Sequence, residues 1–227
     1  MAKKYNPDSF SSHLLQYIVG LIMRTFYRPK LYYTDKSKQS AKELPHPCII
    51  VETHKSHIDG TILRGCVFRK ERIHFLAAKD RFEQNRLMNW YLSKTHCIPI
   101  DRKDFDTSWI HESLKCLKEY KEAVCIYPEG RLSPDKSILP FHNGVAMLAA
   151  LSNVPVLLVY TDGPYRLFRG PRIIIDVAFM PKFPEKGRMR ADVINDITMQ
   201  LQARMQELQT ILWEKIGKNQ KEIGQDN

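Results

Sequence analysis

Residues 48–59 read CIIVETHKSHID. The first five, Cys48 to Glu52, are a short apolar, β-branched run of strand length. The next seven are polar and carry two histidines. Within them Ser56-His57-Ile58-Asp59 matches the Ser/Thr-x-x-Asp/Glu capping box that opens a helix. A strand therefore runs straight into a polar turn and a helix. The same alternation continues along the chain. Further strand-like runs stand at 72–78 (RIHFLAA), 97–100 (CIPI), 123–127 (AVCIY), 154–160 (VPVLLVY) and 172–179 (RIIIDVAF). Between them, 107–121 repeats Ile110, Leu114, Leu117 and Lys121 at helical spacing behind Asp106 or Thr107 as N-cap, and 143–152 is a short apolar helix. A long helix over 188–216 aligns Val193, Ile197, Leu201, Met205, Leu208 and Leu212 on one face. Strands alternating with helices predict an α/β fold, a mainly parallel sheet flanked by helices, in one domain over residues 48–227.

Residues 1–47 differ. FSSHLLQYIVGLIMRTFYR (10–28) is apolar and aromatic, with Lys3, Lys4, Arg24, Arg28 and Lys30 at its ends, and 34–47 reads as a loop. The segment 10–28 suits two roles. It is a first helix docked on the core, or an N-terminal amphipathic helix lying on an anionic bilayer. Charge bears on this choice. The chain of 227 residues has 35 Lys plus Arg against 25 Asp plus Glu, a net +10. Residues 1–47 hold eight bases and three acids, so half of the excess sits in the first fifth of the chain. No run reaches the eighteen or so apolar residues of a spanning helix, and no signal peptide is visible. The five cysteines (48, 66, 97, 116, 125) are scattered, without a CxxC pair, and read as reduced, mostly buried thiols of a cytosolic protein. The bases form no continuous stripe and no RNA-binding or helix-turn-helix signature accompanies them, so a nucleic-acid partner is not expected.

GxGxxG, GxxxxGK followed by Ser or Thr, GxSxG and HExxH are all absent. The distinctive cluster is THKSHID (53–59). His54 and Asp59 are five apart, so they meet only if the chain turns between them, which the capping box provides. A carboxylate holding Nδ1–H of the imidazole would leave Nε2 as a general base. Alternatively, Asp59 merely caps a helix, or His54, His57 and Asp59 bind a metal in a hydrolase. YPEGRLS (127–133) and IPIDR (98–102) also end strands, where ligands of open α/β sheets bind.

Taken in order, these stretches resemble the glycerophospholipid acyltransferase family, and in particular its lysophosphatidic acid acyltransferases. THKSHID is similar to NHxSxxD, HCIPIDR (96–102) to GxIFxxR, YPEGRLS to FPEGTRS, and VPVLLV (154–159) to the hydrophobic fourth motif. AAKDRF resembles a lysine-bearing segment and points to Lys79. The departures are Thr53 for Asn, His96 for Gly, Leu158 for a common proline, and Arg131-Leu132 where Thr-Arg is usual. The resemblance implies an O-acyltransferase with His54 and Asp59 catalytic, and with Arg102, Glu129, Gly130 and Arg131 at the acceptor's phosphate and glycerol. Lys79 would stabilise the thioester oxyanion. It further implies acyl-CoA or acyl carrier protein as donor, no bound cofactor and a lysophospholipid acceptor. The protein would then be peripheral at the cytoplasmic face of a membrane, through residues 10–28.

Overall fold

The computed structural model describes residues 10–34, 44–69, 71–101, 106–133, 135, 137–163, 165–183 and 190–225. Helix α1 (Phe10–Tyr27) and strand β1 (Lys30–Tyr33) precede β2 (Ile49–Glu52). Helix α2 (Asp59–Ile62) continues as a π-helical turn, Leu63–Val67, into β3 (Ile73–Ala78). Two short helices, α3 (Lys79–Glu83) and α4 (Arg86–Lys94), lead to β4 (Ile98–Ile100). Then come α5 (Ser108–Lys118), β5 (Ala123–Ile126), α6 (Gly144–Ser152), β6 (Val156–Asp162), β7 (Arg172–Ile175) and α7 (Ala191–Gln225).

The seven strands form one sheet in the order β1-β7-β6-β2-β5-β3-β4. All neighbours are parallel except β6 and β7. This is the mainly parallel, helix-flanked α/β fold expected from the alternation of strands and helices. Strand β2 lies at the centre, and Ile49, Ile50 and Val51 are completely buried. Successive side chains of a strand point to opposite faces. Ile49 and Val51 accordingly join α5, α6 and α7 in one core layer, while Ile50 joins α2, the π turn and α1 in the other.

Three details depart from the sequence reading. Strand β1, inside the 1–47 segment, is an edge strand of the same sheet, pairing Lys30–Tyr33 with Arg172–Ile175. The continuous strand within 172–179 ends at Ile175, where the Asp176 side chain accepts Arg204 at 2.7 and 2.8 Å and Thr34 at 2.8 Å, and only Phe179 returns to the sheet, as an isolated antiparallel bridge to Val156. On α7, Ile194 rather than Val193 begins the buried row. The five cysteines are free, with Cys48, Cys116 and Cys125 buried. No described helix is long and apolar enough to cross a membrane.

Helix α1 sits on the π turn through two glycines. A Cβ at Gly65 would lie 2.8 Å from Gly20 Cα, so the backbones touch with no side chain between them. Met23 and Tyr27 pack inward, whereas Leu14, Tyr17, Ile18, Leu21, Ile22 and Phe26 are exposed.

Candidate active site

Strands β2 and β5 are parallel neighbours, so the segments leaving their carboxyl ends, THKSHID and YPEGRLS, emerge side by side. The Ser133 N–H donates to the His54 carbonyl at 2.7 Å and ties the two segments together. Half of the expected capping box forms. Asp59 Oδ2 accepts the N–H of Ser56 at 2.7 Å and of Lys55 at 2.8 Å, while the Ser56 hydroxyl meets Ile58 N–H only at 3.4 Å. The turn curls the chain back, and His54 Nδ1 comes within 3.2 Å of Asp59 Oδ2. The Tyr165 hydroxyl donates to the other oxygen, Oδ1. Asp59 is thus buried but supplied with donors on both oxygens.

The His54 ring stacks on Tyr127 with centroids 4.1 Å apart. It lines a cavity of about 1200 Å³ that extends past Phe75, Tyr91, Leu92, Trp109 and Ile110 to Val19 and Met23 of α1. With Nδ1 engaged by Asp59, Nε2 has no hydrogen-bond partner among the described residues. An imidazole held in this way can take a proton from a hydroxyl bound in the cavity.

Around the pair, burial governs the charges. Glu52 is buried and accepts the Thr161 hydroxyl at 3.1 Å. Burial and the Asp59 charge push it well above the usual carboxylate range. Glu129 is also buried and raised by desolvation, against the pull of the Lys55 ammonium. Its Oε1 has no partner among the described residues. Lys55, lowered by its own burial, donates to the Ser137 carbonyl. His57 is lowered by burial and by Arg81, whose Nη2 lies 3.0 Å from its Nε2.

The structure therefore unites some of the expected residues and separates others. His54 and Asp59 are in contact, and Gly130 and the exposed Arg131 line the cavity. Gly130 has φ +66°, and a Cβ there would lie 3.0 Å from the His142 ring. Glu129 is buried and does not line the cavity, although its neighbours Pro128 and Gly130 do. Lys79 pairs with Asp101 at 2.9 Å, and its neighbours Ala78, Asp80 and Arg81 line the cavity instead. Arg102 lies outside the described residues. The metal reading of His54, His57 and Asp59 finds no support. Asp59 is filled by donors, His57 faces Arg81, and no three His, Cys, Asp or Glu among the described residues could hold a metal ion.

Tyr127, Tyr165 and Glu52 are the contacts that motif reading missed. Tyr127 belongs to a quoted motif, but its stacking follows from the pairing of β2 with β5. Tyr165 is over one hundred residues from Asp59, and no local pattern marks it.

The family described as Acyltransferase matches residues 32–161, more than half of the chain. The 1-acyl-sn-glycerol-3-phosphate acyltransferase of Bacillus subtilis (strain 168) is 30% identical over 174 residues, covering 72% of this chain and 82% of that protein. The chain belongs to the acyltransferase family. It is an O-acyltransferase. The enzyme is also 27% identical over 130 residues to the chloroplastic 1-acyl-sn-glycerol-3-phosphate acyltransferase BAT2 of Brassica napus, covering 55% of this chain and 36% of that one. Its fold is that of the 1-acyl-sn-glycerophosphate (LPA) acyltransferase PlsC from Thermotoga maritima, with a TM-score of 0.56 at 19% identity, covering 86% of this chain and 79% of that one. In this acyltransferase the matched span contains His54, Asp59, Lys79, Arg102, Glu129, Gly130 and Arg131, and ends before Tyr165.

Proposed function

We propose that this acyltransferase moves a fatty acyl group from acyl-CoA or acyl carrier protein to the free hydroxyl of 1-acylglycerol 3-phosphate, giving phosphatidic acid. The observation that carries the reading is the 3.2 Å contact of His54 with Asp59 on the wall of a large cavity. A thioester is already activated, so no covalent enzyme intermediate is required. His54 Nε2 takes the hydroxyl proton as the acceptor oxygen attacks the thioester carbonyl. When the tetrahedral intermediate collapses, the C–S bond breaks and the proton passes from His54 to the departing thiolate. Asp59 fixes the imidazole tautomer and stabilises the imidazolium formed midway.

The cavity supports a lipid substrate. Its apolar walls suit an acyl chain, and its volume exceeds the roughly 300–1000 Å³ of ordinary small-molecule pockets. Arg131, exposed at that wall, suits a phosphate because its planar fork binds such groups bidentately. Arg102 joins it in this proposal by motif. Lys79 is the proposed oxyanion donor by motif, a role that requires its ammonium to swing from Asp101 towards the cavity. The exposed apolar row of α1, together with Arg24, Arg28 and Lys30, suits an anionic bilayer at the cytoplasmic face, where a lysolipid can pass from membrane to cavity.

The test is a matrix assay with purified protein. Lysophosphatidate, glycerol 3-phosphate and other lysolipids are each offered with acyl-CoA and with acyl carrier protein, beside His54→Ala. Lysophosphatidate is the expected best acceptor, and His54→Ala should lower turnover by about 10²–10⁴-fold while leaving the melting transition intact. Acyl transfer at the normal rate by His54→Ala would remove the base from this reading. A stronger preference for another acceptor would remove the substrate.

A further inference from the structure

The acidic half of the catalytic pair is held from a distant part of the chain. Tyr165 follows β6, and its hydroxyl donates to Asp59 Oδ1, the oxygen that faces away from the two backbone donors and His54. No other described residue bonds that oxygen. The next four residues, Arg166-Leu167-Phe168-Arg169, form a tight turn closed by Arg166 N–H to the Arg169 carbonyl at 3.3 Å and Arg169 N–H to the Arg166 carbonyl at 3.1 Å.

This turn is clamped to the end of α1. Phe168 N–H donates to the Phe26 carbonyl at 2.5 Å, and the two rings lie 5.9 Å apart. The Arg28 guanidinium stands 5.8 Å from the Phe168 ring centroid. A Cβ on Gly170 would fall 1.5 Å from the Tyr27 carbonyl oxygen, so the backbones are in direct contact there. Phe168 has φ +62°, a left-handed conformation that a bulky residue adopts only when its surroundings impose it. Leu167 and Phe168 nevertheless remain about three-fifths exposed, continuing the apolar face of α1 between two arginines.

We propose that residues 165–169 form a strap between the outer face of α1 and the catalytic pair, in which Tyr165 is a positioning residue for Asp59. The proposal rests on His54 being the base. The strap fixes the Asp59 carboxylate plane through Oδ1 and so holds Oδ2 towards His54 Nδ1. Because its other end is bound to α1, the seating of that helix sets how firmly Asp59 is held. A helix lying on lipid would transmit that seating to the chemistry.

Tyr165→Phe keeps the ring and removes the donor, leaving Oδ1 of a buried carboxylate bare. With the carboxylate plane no longer fixed, the imidazole is misaligned for proton transfer, so kcat should fall about tenfold, with KM within about twofold of wild type. The charge freed from Tyr165 concentrates on the bond to His54 and favours imidazolium, so the acid limb of the kcat–pH profile moves to higher pH. The titratable and charged groups that face this site, Glu52, Lys55, His57, Tyr127, Glu129 and Asp162, are unchanged by the substitution.

Phe168→Ala, at an exposed site, removes the ring contacts with Phe26 and Arg28 and so loosens the strap on α1 without touching Asp59. It should move the same limb in the same direction, with a loss of about threefold in kcat, and the double variant should be no slower than Tyr165→Phe alone. Wild-type kcat and pH profile in Tyr165→Phe, or fully additive losses in the double variant, would overturn the strap. His54→Ala run in parallel separates the two readings. If it is inactive while Tyr165→Phe is normal, only the strap fails. If it is fully active, the base fails and the strap with it.

Discussion

Replacing Gly65 by alanine would put a methyl carbon 2.8 Å from the Cα of Gly20. Carbon atoms rest at about 3.5–4.0 Å, so the π turn and α1 would have to separate by roughly 1 Å. The obstructing atom is backbone, and no rotamer change can relieve it. Overpacking of this kind costs about 1–3 kcal/mol. For a domain of this size each kcal/mol lowers Tm by about 2–4 °C, which gives a fall of roughly 2–12 °C. The separation also moves a cavity wall, because Gln16, Val19 and Met23 of α1 face that space. KM for the lipid acceptor should therefore rise along with the loss of stability. Thermal melts at fixed detergent concentration, followed by acceptor titrations, measure both effects. Gly217→Ala is the control, since nothing lies within 4 Å of a Cβ at that α7 position. It should leave Tm unchanged or raise it, because alanine is the better helix former by about 0.5–1 kcal/mol. A Gly65→Ala protein that melts within about 1 °C of wild type with an unchanged KM would refute the glycine contact as the seat of α1.

Two further outcomes concern buried charge. Glu52 is raised by burial and by Asp59, so its favourable contribution to folding is complete below the ordinary carboxylate range and is lost as pH rises through its folded value. Glu52→Gln keeps the size and the acceptor for Thr161, so its stability relative to wild type should climb as pH is raised from 4 to 8 in urea melts. A pH-independent difference would count against a buried neutral carboxyl. Asp176 is pushed up by burial, but the hydrogen bonds from Arg204 and Thr34 outweigh this and hold it below the usual value. Arg204→Met should cost on the order of 2–3 kcal/mol at neutral pH, less than for a fully buried pair because Arg204 is partly exposed. That cost should shrink as pH falls through the acid range and Asp176 protonates in both proteins.

The fold was largely legible because a parallel sheet buries both faces of its strands. CIIVE, AVCIY and VPVLLVY are continuous apolar runs for that reason, and they appear as β2, β5 and β6. Strand β1 was not legible. Lys30–Tyr33 is four residues long and half-buried at an edge, and only its pairing with β7 makes it a strand. The antiparallel turn of β7 was equally hidden, since strand direction is not encoded in a strand's own residues. At the site, His54 and Asp59 could be paired on paper because a capping box lies between them. Lys79 could not be placed, because its partner Asp101 comes from the end of the neighbouring strand β4.

By itself the sequence determined the alternation of strands and helices, the turn that brings His54 to Asp59, and the concentration of positive charge near the first helix. These depend on neighbours within a few residues, where periodicity and capping act. The tertiary structure alone decided that Tyr127 stacks on His54, that Glu52 lies buried beneath the pair, and that Tyr165 fills the second oxygen of Asp59. The two tyrosines reach the pair from segments dozens of residues away, and Glu52, though near it in the chain, takes its hydrogen bond from the equally distant Thr161. The packing of the sheet brings them together, and burial makes each unsatisfied polar atom costly enough to require a partner.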